Sequence, residues 1–278
     1  MKASVTRARL DERLVSDGLV ETRSTGQRLI MAGVVKVDGQ RSDKPGTKVR
    51  SNQLVTIDRP PKFVSRGGDK LDNGIDDLAD TIASCGFNIT DAIAIDIGAS
   101  TGGFTDCLLQ RGAGFVIAVD VGYGQLHPRI RDDARVQVLE RTNARTLTPD
   151  MLSGGAHGGG GRGELLKPTL IVCDASFIPL RTVLPAPLQC MADEFWGLIL
   201  CKPQFEAGRV RMSKHGRKGV LRDTGVRDTI VSETLDDLRA LGLIVEGTVE
   251  ARPRGPKGNV EYVVLVRSGG VGRVQEAR

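Results

Sequence analysis

The sequence predicts an α/β protein: a mostly parallel, doubly wound sheet whose last strand runs antiparallel, preceded by a small N-terminal α+β module. Three observations predict it. Beyond residue 90, short apolar runs ending in a charged side chain alternate with helix-like stretches, the pattern of a parallel sheet with crossover helices. Residues 92–95 lead into Asp96-Ile97-Gly98-Ala99-Ser100-Thr101-Gly102-Gly103-Phe104-Thr105 and then Asp106-Cys107-Leu108-Leu109-Gln110-Arg111, which reads strand, glycine turn, helix. The two last apolar runs, 243–249 and 260–266, are joined too closely for a crossover, so their pairing is antiparallel.

The N-terminal module opens with a helix from Ala8, whose apolar positions Leu10, Leu14 and Val15 fall at helical spacing and which Gly18 can close. Ser24 is the expected N-cap of a second short helix through Gln27-Arg28-Leu29-Ile30-Met31, stopped by Gly33. Val34-Val35-Lys36-Val37 alternates toward an Asp38-Gly39 turn, and Gln53-Leu54-Val55-Thr56-Ile57-Asp58 supplies another strand. Pro60-Pro61-Lys62 predicts an extended linker, which divides the chain into residues 1–60, a linker at 61–64 and a larger domain over 65–268. That domain starts with a helix carrying Leu71, Ile75 and Leu78. Further strands are expected at 115–119, 136–139, 169–173 and 197–201, with Asp120, Asp174 and Lys202 directly after the first, third and fourth of these. A helix containing Ile230, Val231, Leu235, Leu238 and Leu241 precedes the last two strands. The nearly all-glycine stretch between Ser153 and Gly163 predicts a mobile surface insertion with no phosphate-binding role.

Composition narrows the function classes. With 278 residues and 40% apolar content the chain can build one large core and a small module. No apolar stretch approaches the roughly 18 to 20 residues that span a bilayer, and the start carries no signal-peptide core, so a cytoplasmic protein is expected. Cysteines 85, 107, 173, 190 and 201 show no CxxC spacing and the histidines no HExxH; buried thiols are expected, with neither disulfides nor a metal site. Charge is unevenly placed. Residues 1–60 hold 12 Lys or Arg against 7 Asp or Glu, whereas the remainder holds 27 of each. Clustered cations suit a polyanion, because phosphate neutralisation releases counterions; a solvated basic face is the alternative.

Glycines 98, 102 and 103 allow close backbone approach to a ligand, with Asp96 at the strand end and Asp120 placed to accept ribose hydroxyls. The spacing is GxxxGG rather than GxGxxG, which suits a nucleoside without a pyrophosphate, such as S-adenosylmethionine; a tight turn with no ligand is the alternative. Lys70, Asp174, Lys202 and Glu261 lie where strands or helices begin or end, and strand ends line the ligand crevice of such a sheet. Methyl transfer to a ribose hydroxyl needs that nucleophile activated and aligned, and a lysine whose proton affinity is lowered by burial or a neighbouring cation can do so. Each of the four taken alone also fits an ordinary ion pair.

In this order the four match the Lys-Asp-Lys-Glu tetrad of FtsJ-like RNA 2′-O-methyltransferases, and the segment 96–105 looks like their S-adenosylmethionine loop. Residues 65–71, 118–126, 140–145 and 202–208 resemble the TlyA (haemolysin A) family, and the first 39 residues resemble an S4-type RNA-binding domain. The resemblance implies a Rossmann-like methyltransferase sheet. It implies transfer of a methyl group from S-adenosylmethionine to the 2′-hydroxyl of cytidine in ribosomal RNA of the small subunit, the large subunit or both. Lys202 would activate the hydroxyl, Lys70 would tune Lys202 and bind substrate, and Asp174 and Glu261 would orient the cations. Gly98, Ser100, Gly102 and Phe104 would wrap the methionine moiety, Asp120 would take the ribose, and Asn143 would lie near adenine. Arg7, Arg9, Arg13, Arg23, Arg28 and Lys36 match the RNA-facing cations of S4-type domains. The exact nucleotide and the oligomeric state stay open. Lys214-His215-Gly216-Arg217-Lys218-Gly219-Val220 forms either an RNA-contacting loop or a solvated one. Two rival classes remain: a non-catalytic RNA-binding assembly factor, and a membrane-active haemolysin, against which the lack of a spanning or strongly amphipathic segment argues.

Overall fold

The computed structural model describes residues 6–58, 61–152 and 166–269, and the chain divides into two compact units, Met1–Lys62 and Phe63–Arg278. Pro60 and the glycine-rich stretch expected as an insertion lie outside the described residues.

In the smaller unit a strand β1 (Arg7–Arg9) precedes helices α1 (Leu10–Ser16) and α2 (Arg23–Met31), followed by short strands β2 (Val35–Val37), β3 (Gln40–Arg41), β4 (Lys48–Arg50) and β5 (Val55–Ile57). The helix expected from Ala8 therefore starts two residues later, because Arg7, Ala8 and Arg9 pair antiparallel with Arg50, Val49 and Lys48. Strand β4 has one apolar residue and gave no periodic signal. The N-cap of α2 is Thr22 and not Ser24: the Thr22 hydroxyl accepts the Thr25 amide at 3.3 Å, and Ser24 lies inside the helix. Leu10, Leu14, Ile30, Val35, Val49 and Val55 form the core, while Val15, expected on the same face, is exposed. Asp38 and Gly39, both at positive φ, make the tight turn between β2 and β3.

The larger unit begins with α3 (Arg66–Asp77) and α4 (Ala79–Cys85), then alternates: β6 (Ile93–Ile97), α5 (Gly103–Gln110), β7 (Phe115–Val119), α6 (Pro128–Arg131), β8 (Val136–Leu139), β9 (Leu170–Cys173), α7 (Leu180–Val183), α8 (Pro185–Gln189) and β10 (Trp196–Cys201). It continues with α9 (Pro203–Glu206), α10 (Gly208–His215), a small hairpin β11 (Gly216–Arg217) and β12 (Val220–Leu221), α11 (Thr224–Ala240), β13 (Leu243–Glu250) and β14 (Tyr262–Ser268). Seven strands form one sheet in the order β13-β14-β10-β9-β6-β7-β8. Strands β8, β7, β6, β9 and β10 are parallel to their neighbours, and β14 is inserted antiparallel between β10 and β13. The fold is α/β with a small N-terminal S4-type module, as the sequence predicts.

Both faces of the sheet are covered, which is why its strands read as continuous apolar runs. Alternate residues take opposite sides: Ala94, Val116, Val172 and Leu198 pack with α3 and α5, while Ile95, Ile117, Ile171 and Ile199 pack with residues of α7 and α11. Each such Val, Leu or Ile withdrawn from water contributes about 1.5–3 kcal/mol before entropic costs. Phe63, expected in the linker, is 2% exposed and belongs to this core. A Cβ on Gly68 would sit 2.3 Å from its ring, so glycine is what lets α3 approach. Cysteines 107, 173, 190 and 201 are buried and Cys85 is half-buried; all five are free thiols.

Candidate active site

The order of the sheet brings the ends of β6 and β9 side by side, the point where the chain reverses its direction of growth and where ligand crevices form. After β6 the turn takes Gly98 and Gly102 to φ +82° and +93°, and Ser100 to +49°, before α5 begins at Gly103. A Cβ on Gly98 would come within 3.2–3.3 Å of the Asp174–Ala175 backbone, so the turn and the end of β9 share a wall. Two adjoining cavities of about 380 and 710 Å³ open there, and Gly98, Ser100 and Asp174 line both. Ser65, Arg66, Gly67 and Phe104 complete the smaller; Asp120, Gln125, Asn143 and Phe177 are among the residues completing the larger.

The predicted ligand residues divide into two groups. Asp120 accepts the amides of Ser100 (2.8 Å) and Gly122 (2.7 Å), clamping the glycine turn to the next βα loop at the cavity wall. Asn143 caps a short 3₁₀ turn, its Oδ1 accepting the Arg145 amide at 3.1 Å, and also lines the cavity. Asp96 does not. It is 0% exposed, and Oδ2 accepts the Thr105 amide (3.0 Å) and hydroxyl (2.7 Å), so the expected direct ligand contact is replaced by a support beneath the turn. Burial pushes its carboxyl up to about 7, against the two Thr105 hydrogen bonds that favour the anion; Asp174 and Asp120 nearby raise it further.

The four tetrad residues form two ion pairs. Lys70, on α3, meets Glu261 just before β14 at 2.5 Å, and both are buried. Lys202, between β10 and α9 as the N-cap position of α9, meets Asp174 Oδ1 at 2.6 Å. Its Nζ also donates to the Ser176 hydroxyl at 2.7 Å and to the Asp174 carbonyl at 3.1 Å. Buried Gln204, two residues after Lys202, supports the Lys70–Glu261 pair: its Nε2 donates to Glu261 Oε1 at 2.9 Å. Ser176 and Gln204 were not singled out from the sequence, although both lie in polar clusters directly after strands.

Two further residues were missed. Phe177 is 88% exposed at φ +65° on the cavity edge, its ring 4.7 Å from that of Phe205, whose face lies 5.8 Å from Lys202 Nζ. Glu206 accepts the Leu180 amide at 3.0 Å and so fastens α9 to the segment that follows Phe177; burial pushes its carboxyl up to about 7. The signal for Phe177 is an aromatic in a polar Asp174-Ala175-Ser176 context, where burial gives it no reason to be.

In the smaller unit the predicted RNA-facing cations are unequal. Asp11 is fully buried and accepts Arg9, Arg23 and Gln27 at 2.8–3.0 Å, which holds its carboxyl well below the usual range. Arg13 is bound to Asp17 at 2.7 Å and to the carbonyls of Arg50 and Ser51. Lys36 pairs with Asp58 at 2.5 Å. Arg7 and Arg28 are exposed, and among the described residues neither has a carboxylate partner.

A glycine turn at the switch point, an acid after the second parallel strand, an antiparallel strand inserted at one side and two lysine–carboxylate pairs, one of them at strand ends, are the features of a nucleoside-dependent methyltransferase. The FtsJ-like methyltransferase model matches residues 63–268 and the S4 domain model residues 8–55; this chain belongs to the FtsJ-like methyltransferase family. It is 41% identical over 264 residues to the 16S/23S rRNA (cytidine-2′-O)-methyltransferase TlyA of Mycobacterium tuberculosis, covering 94% of this chain and 90% of that one. Hemolysin A of Brachyspira hyodysenteriae is 36% identical over 256 residues, 92% and 98% of the two chains. A solved structure from Streptococcus thermophilus, named as a hemolysin, superimposes with a TM-score of 0.64 at 34% identity over 95% of this chain and 90% of its own. No helix among the described residues is long and apolar enough to cross a membrane, and none of their His, Cys, Asp and Glu clusters could hold a metal ion.

Proposed function

We propose that this protein transfers a methyl group from S-adenosylmethionine to the ribose 2′-hydroxyl of a cytidine in ribosomal RNA, in the cytoplasm and within ribosomal subunits. The observation that carries the reading is the pair of lysine–carboxylate contacts, Lys202–Asp174 and Lys70–Glu261, the first of them at the wall of the glycine-turn cavity. The cavity fits the nucleoside: a turn that side chains would obstruct and an acid for ribose hydroxyls. Gly98, Ser100, Gly102 and Phe104 would hold the methionine end, Asp120 the ribose and Asn143 the adenine, with Asp96 acting through Thr105. When bound, S-adenosylmethionine supplies an electrophilic methyl group on a sulfonium.

Lys202 Nζ is oriented by Asp174 and Ser176; once it has released its own proton to solvent it would accept the 2′-hydroxyl proton, while the methyl carbon passes from the sulfonium sulfur to the 2′-oxygen and S-adenosylhomocysteine leaves. Lys70, held by Glu261 and through it by Gln204, binds the substrate ribose or phosphate. Phe177 offers an exposed ring on which a base turned out of its stack can rest. Residues 1–60 act as the S4-type RNA-binding domain, followed by the methyltransferase domain, whose core already includes Phe63. The name of the Mycobacterium tuberculosis relative supports both subunits as substrates.

The test is incorporation of labelled methyl from S-adenosylmethionine into separated small subunits, large subunits and naked rRNA, followed by mapping of 2′-O-methyl sites. Lys202→Ala is expected to lower incorporation by at least about 10²-fold with RNA binding retained. Unlabelled RNA with intact binding of both ligands supports the assembly-factor reading instead, and leakage from liposomes the haemolysin reading.

A further inference from the structure

Residues 208–222 begin six residues after Lys202 and contain six Lys or Arg and no Asp or Glu. They form α10 and the hairpin β11–β12, whose two-residue turn is Lys218-Gly219, at φ +52° and +80°. Both positions of such a turn need positive φ, which favours Asn-Gly, so a lysine there occupies a conformation that side chains resist. It is held there. Asn259, buried and two residues before Glu261, donates to the Gly219 carbonyl at 3.0 Å and accepts the Leu221 amide at 3.3 Å. Lys257, itself at φ +61°, donates to the Lys218 carbonyl at 3.4 Å. Asn259 and Lys257 lie in the same short segment as Gly255, where a Cβ would come within 2.2 Å of Glu261 Oε1. The carbonyl of Arg254, in that segment too, accepts Arg66 of the smaller cavity at 2.7 Å. The hairpin is thus fastened to the part of the chain that positions the Lys70–Glu261 pair.

Some of the nearby cations are already neutralised: Arg211 pairs with Glu233, Arg252 with Asp77 and Arg254 with Glu250. Arg209, Lys214, Arg217, Lys218 and Arg222 have no carboxylate partner among the described residues, and Arg217 and Lys218 are exposed at the hairpin tip. A strained, anchored turn that presents unpaired cations beside a reaction centre for polynucleotides is suited to phosphate. We propose that the hairpin 216–221 grips the RNA backbone beside the target nucleotide through Arg217 and Lys218, giving the methyltransferase domain an RNA contact of its own in addition to the S4-type domain. This rests on the reading that the substrate is RNA.

The experiment compares full-length wild type, Arg217→Gln/Lys218→Gln and the charge-preserving Arg217→Lys/Lys218→Arg. Substrates are ribosomal subunits from cells lacking this gene, used from about 50 to 200 mM salt, with S-adenosylmethionine affinity measured separately by calorimetry. The neutral variant is expected to raise KM for the subunit by about tenfold and to lower the slope of log KM against log salt by about 1.4–1.8, two contacts' worth. Its kcat and S-adenosylmethionine affinity should stay within about twofold of wild type, and the charge-preserving variant should restore KM. An unchanged KM and salt slope overturns the proposal, as does a charge-preserving variant impaired as much as the neutral one. If wild type transfers no methyl group, the reading of the site fails instead. The hairpin is then judged by direct binding of the same subunits, where equal affinity and salt slope in wild type and neutral variant overturn it.

Discussion

At the scale of single residues, Asp96 is buried beneath the glycine turn, where it holds Thr105. Its burial raises the carboxyl to about 7, far above the unfolded value near 4, so the folded chain holds a proton between those values that the unfolded chain has released. Its contribution to stability therefore falls as pH rises from about 4 to about 7, and the cost of the buried anion is fully present above that. Asp96→Asn can still accept the two Thr105 hydrogen bonds and removes the titration. In urea unfolding the variant is expected to gain on wild type by about 2–3 kcal/mol between pH 5 and pH 8, an order-of-magnitude figure. A constant difference across that range would mean that Asp96 does not titrate in the folded state. The two lysines carry the opposite lesson: each has its own carboxylate, and removing either partner of the buried Lys70–Glu261 pair leaves a buried charge behind.

At the scale of elements, the glycine turn and the S4-type helices each make a prediction. Gly102 is at φ +93°, and a Cβ there would lie 2.8 Å from Leu126 Cδ1. Gly102→Ala is expected to weaken S-adenosylmethionine binding by at least about tenfold, at a backbone cost of about 1–3 kcal/mol, while the far-ultraviolet spectrum stays that of the folded chain. Calorimetric titration checks the affinity. In the smaller unit Arg13 ties α1 to the carbonyls of Arg50 and Ser51 at the end of β4, whereas Arg28 makes, among the described residues, a 3.4 Å contact to Thr25 within α2. Arg28→Ala should weaken RNA binding with a salt slope reduced by about 1, and leave the melting temperature unchanged. Arg13→Ala should lower the melting temperature as well, and both effects can be read from anisotropy titrations and thermal scans of the same samples.

At the scale of the whole molecule, the two units have cores that share no residue, and the excess positive charge lies in the first 60 residues. Four cysteines are buried in the larger unit; burial pushes Cys173 up to about 12 and Cys190 up to about 11, which keeps both as unreactive thiols at neutral pH. A disulfide reagent should therefore label Cys85 first in the native chain and all five cysteines only in denaturant, with the slow labelling rate reporting opening of the larger core. Rapid native reaction of Cys173 or Cys201 would contradict the closed sheet.

Local pattern was enough for much of this protein. The parallel strands, the glycine turn and the polar residues after each strand are local features, because apolar periodicity and turn chemistry act within a few residues of chain. Lys70, Asp174, Lys202 and Glu261 were singled out from their motifs in chain order, and the structure pairs them as Lys70–Glu261 and Lys202–Asp174. What stayed hidden were relations across long separations. Strand β4, with a single apolar residue, exists because β1 pairs with it, and Thr22 displaced Ser24 as a cap through geometry that composition does not carry. By itself the sequence determined the fold class and the chemical inventory. Only the tertiary structure decided that Lys70 pairs with a glutamate 191 residues away, that Ser176 and Gln204 join the site, that Asp96 turns inward and that Asn259 anchors the basic hairpin. Those choices follow from strand order and register, which set which side chains share a space, and no local propensity encodes them.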